Sequence, residues 1–134
     1  MENILKLTII TPEKDLYIGE ILELVTENDY GRLGFLPDHI PMVTVLKPSI
    51  TTFTQKDGNK LKAFTSSGVL NIKNNEIKIM CDASEWPEDI DIRRAEESKK
   101  RAESRLKDIN EEVNINRAQI ALMRAMMRIK ARNI

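Results

Sequence analysis

The chain is poor in the residues by which small proteins perform covalent chemistry: it has one cysteine and one histidine in 134 residues. A lone Cys81 excludes an intrachain disulfide framework and a multi-cysteine metal site, and it fits a reducing compartment. Its setting, Ile77-Lys78-Ile79-Met80-Cys81, reads as a small buried hydrophobe in a strand. There is no Walker-type phosphate loop, no pair of catalytic carboxylates and no metal-ligand cluster, so catalytic residues, metal and required cofactor are all expected to be none. Net charge is missing too, since 21 basic and 21 acidic side chains cancel. No overall field therefore draws the chain to nucleic acid or to an anionic membrane. No run approaches ~18 apolar residues, and Met1-Glu2-Asn3-Ile4 lacks the charged and apolar regions of a signal peptide. The expectation is a soluble chain without direct membrane insertion, attached to any membrane through a partner.

What is present is divided in two. A hydrophobic content of 41% suffices for a core. All five glycines, all five prolines and all six aromatics lie at or before Pro87. Glycine and proline punctuate turns and aromatics favour strands, so residues 1–87 read as strands and residues 88–134 as helix.

In the first part Leu5, Leu7 and Ile9 alternate with Lys6 and Thr8, and Ile77 and Ile79 alternate with Glu76 and Lys78. A period of two means one buried and one wet face. Further strands are expected over 20–26, 41–46, 50–55, 60–65 and 69–73, with turns at Asn74-Asn75 and, as a hairpin, at Asp57-Gly58. Short, evenly spaced strands of this kind predict a mostly antiparallel β-sandwich or barrel.

In the second part Ile92, Ala95, Ala102, Leu106, Ile109 and Val113 recur as one helical stripe, with Asp91 as its N-cap. A turn is expected about Asn110-Glu111-Glu112 and Asn114-Ile115-Asn116, with Asn114 capping a second helix whose shared face carries Ala118, Ala121, Leu122, Ala125 and Ile129. The result is an α-helical hairpin with arms of about 27 Å. Alanine buries far less area than leucine, so the hairpin is expected to dock modestly and to be mobile. Charge is also divided: residues 1–87 hold twelve acids and nine bases, and residues 88–134 hold nine acids and twelve bases. From Arg117 onward there are five bases and no acids. That arrangement suits either a solvated helix end or a surface for an acidic partner or a polyphosphate.

The segment Gly31-Arg32-Leu33-Gly34-Phe35-Leu36-Pro37-Asp38-His39-Ile40-Pro41 resembles the G-x-L-G-x-x-P-x-H-x-P loop of the epsilon subunits of F-type ATP synthases. The opening Leu7 to Pro12 stretch, Ser67-Gly68-Val69-Leu70 and Asp89-Ile90-Asp91-Ile92-Arg93-Arg94-Ala95 agree in order, so the resemblance spans nearly the whole chain. It implies a non-catalytic central-stalk subunit whose sandwich binds the gamma subunit and the c-ring. Its C-terminal helices would oppose ATP hydrolysis when extended toward the alpha and beta subunits. It also implies a peripheral location on the cytoplasmic face of the bacterial membrane. Arg32, Leu33, Gly34, Phe35 and His39 are the implied c-ring and gamma contacts. The structural reading of the same loop, positive φ at glycine and stiffening by Pro37 and Pro41, stands beside it. Asp38 and Ile40 occupy places where many members carry small residues.

Some bacterial members bind ATP as a regulatory ligand through a motif I/L-D-x-x-R-A, which Ile90, Asp91, Arg94 and Ala95 match at every fixed position. The resemblance extends the implied site to Glu85, Arg101, Arg124 and Arg128. Arg101 lies two turns beyond Arg94, and Arg124 and Arg128 share a face by their i, i+4 spacing. The plainer reading is a capped helix with ordinary ion pairs between Arg94, Arg101, Glu97 and their neighbours. A rival of another class, a nucleic-acid-binding small barrel with a basic helix, is opposed by the acidic first part and by aromatics that form no stacking cluster.

Overall fold

A computed structural model describes residues 3–107 and 115–133. The chain forms two compact units, Met1–Glu85 and Trp86–Ile134. The first contains nine strands: β1 Leu5–Ile10, β2 Asp15–Asn28, β3 Gly31–Phe35, β4 Met42–Leu46, β5 Ser49–Gln55, β6 Lys60–Thr65, β7 Gly68–Lys73, β8 Glu76–Cys81 and β9 Ser84–Glu85. Pairing runs β1-β8-β7-β4-β2-β5-β6-β9, with β3 on β2 and β1 also on β2. Every pairing is antiparallel except that of β1 with β8.

This is the expected sandwich, closed on itself by one long strand. The first part of β2 pairs with β1, and its second part pairs with β3 and β5. Before the crossing Ile18 and Glu20 are exposed while Tyr17, Gly19 and Ile21 are the more protected residues, but Leu24, Thr26 and Asn28 are buried after it. The inward side therefore passes from odd to even residues. A register shift between Ile21 and Glu23 accounts for the change, because one extra residue in a strand turns every later side chain to the opposite face.

The core comprises Leu5, Leu7, Ile9, Ile21, Leu70, Ile72, Ile77 and Ile79 from one layer, against Leu24, Phe35, Phe53 and Phe64 from the other. Within it runs a line of hydroxyls: Thr26 Oγ1 is 2.8 Å from Thr51 Oγ1, which is 2.7 Å from Thr65 Oγ1. Each threonine satisfies the next where no water reaches. The expected hairpin joins β5 to β6, with Gly58 at φ +94° and the Asn59 amide donating to Asp57 Oδ1 at 3.0 Å.

In the second unit a 3-10 turn, Pro87–Asp89, leads to α1, Ile92–Lys107, and α2, Ile115–Asn133, which pack on each other. Asp91 caps α1, its Oδ1 accepting the Arg94 amide at 3.1 Å. Ala95 and Ala102 on α1 are buried, as are Ala118 and Ala125 on α2, each pair seven residues apart. Small side chains at a helix contact bring the axes toward the short end of the usual 8–10 Å. Ile115 and Asn116, expected in the turn, are already helical. The expectations for Ile109, Asn110, Glu111, Glu112, Val113 and Asn114 lie outside the described residues.

Candidate functional site

Two groups of side chains are candidates, one on each unit. The first is built on β3 and the loop that follows it. Arg32 and Gly34 are exposed, Leu33 and His39 are half-buried, and Phe35 is 1% exposed. Alternation along β3 sends Leu33 and Phe35 inward and Arg32 and Gly34 outward. The His39 ring packs against that of Phe35, centroids 4.9 Å apart, and its Nδ1–H donates to the Ile40 carbonyl at 2.7 Å.

Of the two glycines, only Gly31 uses a positive φ, at +131°. Gly34 does not, and a Cβ on it would meet no atom within 4 Å. The loop's left-handed residue is Asp38, at φ +66°. Tyr30, Leu36 and Ile40 stand around this strand with their side chains well exposed.

The second group lies on the helices. Ile90 and Ala95 are both buried and flank Asp91 at the positions of a hydrophobic staple, N′ and N4, around an N-cap. Three of the four fixed residues of the Ile90 to Ala95 motif are thus accounted for by the start of α1. Arg94 is not. Its first turn carries no acid, and Arg93 and Arg94 stand there at the positive end of the helix dipole, where cations are disfavoured.

Arg94 and Arg101 are exposed, whereas Arg124 and Arg128 are half-buried on α2. Arg101 Nη2 donates to Ser98 Oγ at 2.9 Å. Among the described residues no carboxylate oxygen lies within 4 Å of Arg94, Arg101 or Arg124, so the ordinary pairing with Glu97 is not made. The salt bridges Lys47–Glu27, at 3.5 Å, and Lys56–Glu20, at 3.8 Å, belong to the first unit. Glu85 lies in that unit as well, half-buried in β9 opposite Phe64. No group of three His, Cys, Asp or Glu among the described residues is arranged to hold a metal.

Sequence reasoning passed over a third feature, the outer face of β4, β7, β8 and β1. Val45 stands opposite Val69, Val69 opposite Met80, and Met80 opposite Ile10, all turned away from the core. Val43 and Val45 are 67% and 68% exposed and Met80 is 48% exposed. The alternation of Met42 to Leu46 reveals a strand, but it does not distinguish a face covered by the core from one left for a partner.

Comparison with known proteins places these features in a family. Residues 4–87 match the model of the ATP synthase delta/epsilon chain β-sandwich domain, and residues 88–133 that of its long α-helix domain. The ATP synthase epsilon chain of Clostridium kluyveri is 52% identical over 129 residues, spanning 96% of this chain and 97% of that one. That of Clostridium botulinum is 55% identical over 111 residues, 83% of this chain and 84% of its own. In fold, a chain of the Euglena gracilis mitochondrial ATP synthase OSCP/F1/c-ring structure superposes with a TM-score of 0.80 at 18% identity, covering 94% of this chain and 79% of the other. One from the central stalk and c-ring of the Tetrahymena thermophila mitochondrial enzyme gives 0.62 at 14%, covering 96% of each.

Proposed function

The chain belongs to the ATP synthase delta/epsilon family, as a non-catalytic subunit of the F-type enzyme, and from that membership we propose that it rides in the central stalk between the gamma subunit and the c-ring. The observation that carries the partner reading is the apolar row Val45, Val69, Met80 and Ile10 across four strands. Large apolar side chains gathered on one sheet face form a surface whose burial against a partner is favourable. Gamma is the proposed occupant of that face, and Arg32, Leu33, Gly34, His39 and their loop form the rim toward the c-ring; Phe35, expected among these contacts, is 1% exposed and supports the loop from the core instead. Attachment to the cytoplasmic face of the membrane is then peripheral, through those partners; among the described residues no helix is long and apolar enough to cross a bilayer. A tagged chain carrying Val45→Ser and Met80→Ser should recover much less gamma from a lysate than the unaltered chain. Equal recovery would count against the face.

The second unit is proposed to regulate ATP hydrolysis by exchanging a packed helix pair for an extended form that reaches the alpha and beta subunits, with ATP favouring the packed form. What supports this is that Arg94, Arg101 and Arg124 have no carboxylate partner among the described residues. A triphosphate offers forked acceptors for guanidinium groups, and it stabilises whichever form binds it more tightly. Asp91 is the proposed acceptor for the adenine amino group. Calorimetric titration with ATP, beside GTP and an Arg101→Ala variant, tests the reading. Selective binding lost in the variant supports it, and absence of binding at millimolar ATP refutes it.

A further inference from the structure

The loop between β3 and β4 is built inside out. In an ordinary surface loop polar side chains face water and apolar ones turn in. Here Leu36 and Ile40 are 60% and 74% exposed, while the polar residues between them are turned to anchoring. The His39 ring packs against that of buried Phe35 at a tilt of 53°. The Asp38 amide donates to Asn75 Oδ1 at 2.7 Å, and Asn75 Nδ2 donates back to Asp38 Oδ1 at 3.4 Å.

Asn75 belongs to the two-residue turn between β7 and β8, where Asn74 and Asn75 take φ +51° and +62°. The Asn75 carbonyl accepts the Lys6 amide at 2.8 Å, tying that turn to β1. Asp38 itself sits at φ +66°, a conformation that residues other than glycine seldom adopt without local support. The support is the reciprocal pair with Asn75, reached across 37 positions of sequence.

We propose that Asp38 and Asn75 form a clasp that positions the β3–β4 loop, holding Leu36 and Ile40 outward as a preorganised apolar contact for the rotor partner. The proposal rests on the reading that this rim meets the c-ring. A loop fixed before docking loses less freedom on docking, so the clasp acts on residence time through Leu36 and Ile40 and not through a bond of its own to the partner.

Asn75→Gly isolates the clasp. Asn-Gly is the preferred sequence for a turn with two positive φ values, so the turn is kept while the side chain is removed. A second variant, Leu36→Ser with Ile40→Ser, tests the contact itself. The readouts are melting temperature, the exchange rate of the Asp38 amide in the full chain, and the dissociation rate from synthase-bearing membranes stripped of this subunit and reloaded. Asn75→Gly should leave the melting temperature unchanged or raised, speed Asp38 exchange by about three- to tenfold, and speed dissociation by a similar factor, as expected for one lost net hydrogen bond. The double serine variant should dissociate faster still with Asp38 exchange unaltered. If the serine variant dissociates faster but Asn75→Gly does not, positioning by the clasp is refuted while the rim contact survives. If the serine variant dissociates at the original rate, the rim reading fails and the positioning role fails with it.

Discussion

Asp91 caps α1 and is the proposed acceptor for the adenine amino group, and substitution separates the two roles. Its Oδ1 accepts the Arg94 amide at 3.1 Å, satisfying one of the open donors at the start of α1. Asp91→Ala removes that bond, worth about 1 kcal/mol at an N-cap. It also removes a negative charge from the positive helix end, about 0.3–1 kcal/mol. The charge matters here because Arg93 and Arg94 occupy the first turn without an acid to offset them.

The alanine variant should therefore lose about 1–2 kcal/mol of helix stability. Asp91→Asn keeps the accepting oxygen and the cap, and should lose only the charge contribution, about 0.3–1 kcal/mol. Amide exchange of Arg93, Arg94 and Ala95, read beside the thermal melt, distinguishes the two. Equal losses in the alanine and asparagine variants would refute the cap as the source of the stabilisation. Titration of the asparagine variant with ATP then probes the second role: binding lost with α1 intact assigns the carboxylate to the ligand, and binding retained shows that its charge is not needed there.

Three further outcomes are expected. Gly68→Ala would place its Cβ 2.2 Å from the Met80 carbonyl oxygen and 2.6 Å from Cys81 Cα, both backbone atoms that cannot step aside; a loss of about 3 kcal/mol or more is expected in denaturant unfolding. Thr51→Val breaks the hydroxyl line at its centre and strands Thr26 and Thr65, so it should cost about 1–3 kcal/mol despite its matching shape, measured the same way. Burial pushes the Cys81 thiol up to about 11 from 9.0. The folded state thus holds this proton more tightly than the unfolded one, and the contribution to stability is intact below pH 9 and lost as pH rises through 11. Unfolding between pH 8 and 11 should show about 2–3 kcal/mol more alkaline loss in the native chain than in Cys81→Ala.

The sequence was legible wherever one physical pattern governed a segment without interruption. β1 and β8 alternate strictly because each has one face in the core, and β6 begins and ends where its composition says, after Gly58-Asn59 and before Ser66-Ser67. The start of α1 was readable because Asp91 can cap and Ile92, Ala95 and Ala102 follow at helical spacing. β2 was readable only from residue 20 onward, because the register shift at Leu22 reverses its inward side and Gly19 interrupts its apolar run. β3 is hidden in the sequence because two of its five residues are glycine, which strands disfavour. The arginines of the helical unit could be named from spacing. That Arg94, Arg101 and Arg124 pair with no carboxylate among the described residues could not, because Glu97 lies within reach along the chain and only the side-chain geometry shows that it does not engage. The Asp38–Asn75 clasp joins residues with no periodic relation and was invisible for that reason.

The passage of β2 through both layers also has a mechanical side. Two sheets held together only by packed side chains can slip over one another, since each dispersion contact is weak and readily exchanged for a neighbour. Here Asp15–Asn28 is a single covalent strand, hydrogen-bonded to β1 in one layer and to β3 and β5 in the other. Sliding the layers apart would have to stretch or unpair that strand, with the bulge near Leu22 as its elbow. A load applied at one edge is therefore carried through the backbone to the opposite layer, and the sandwich resists shear as one stiff block, as a part seated on a turning shaft would have to.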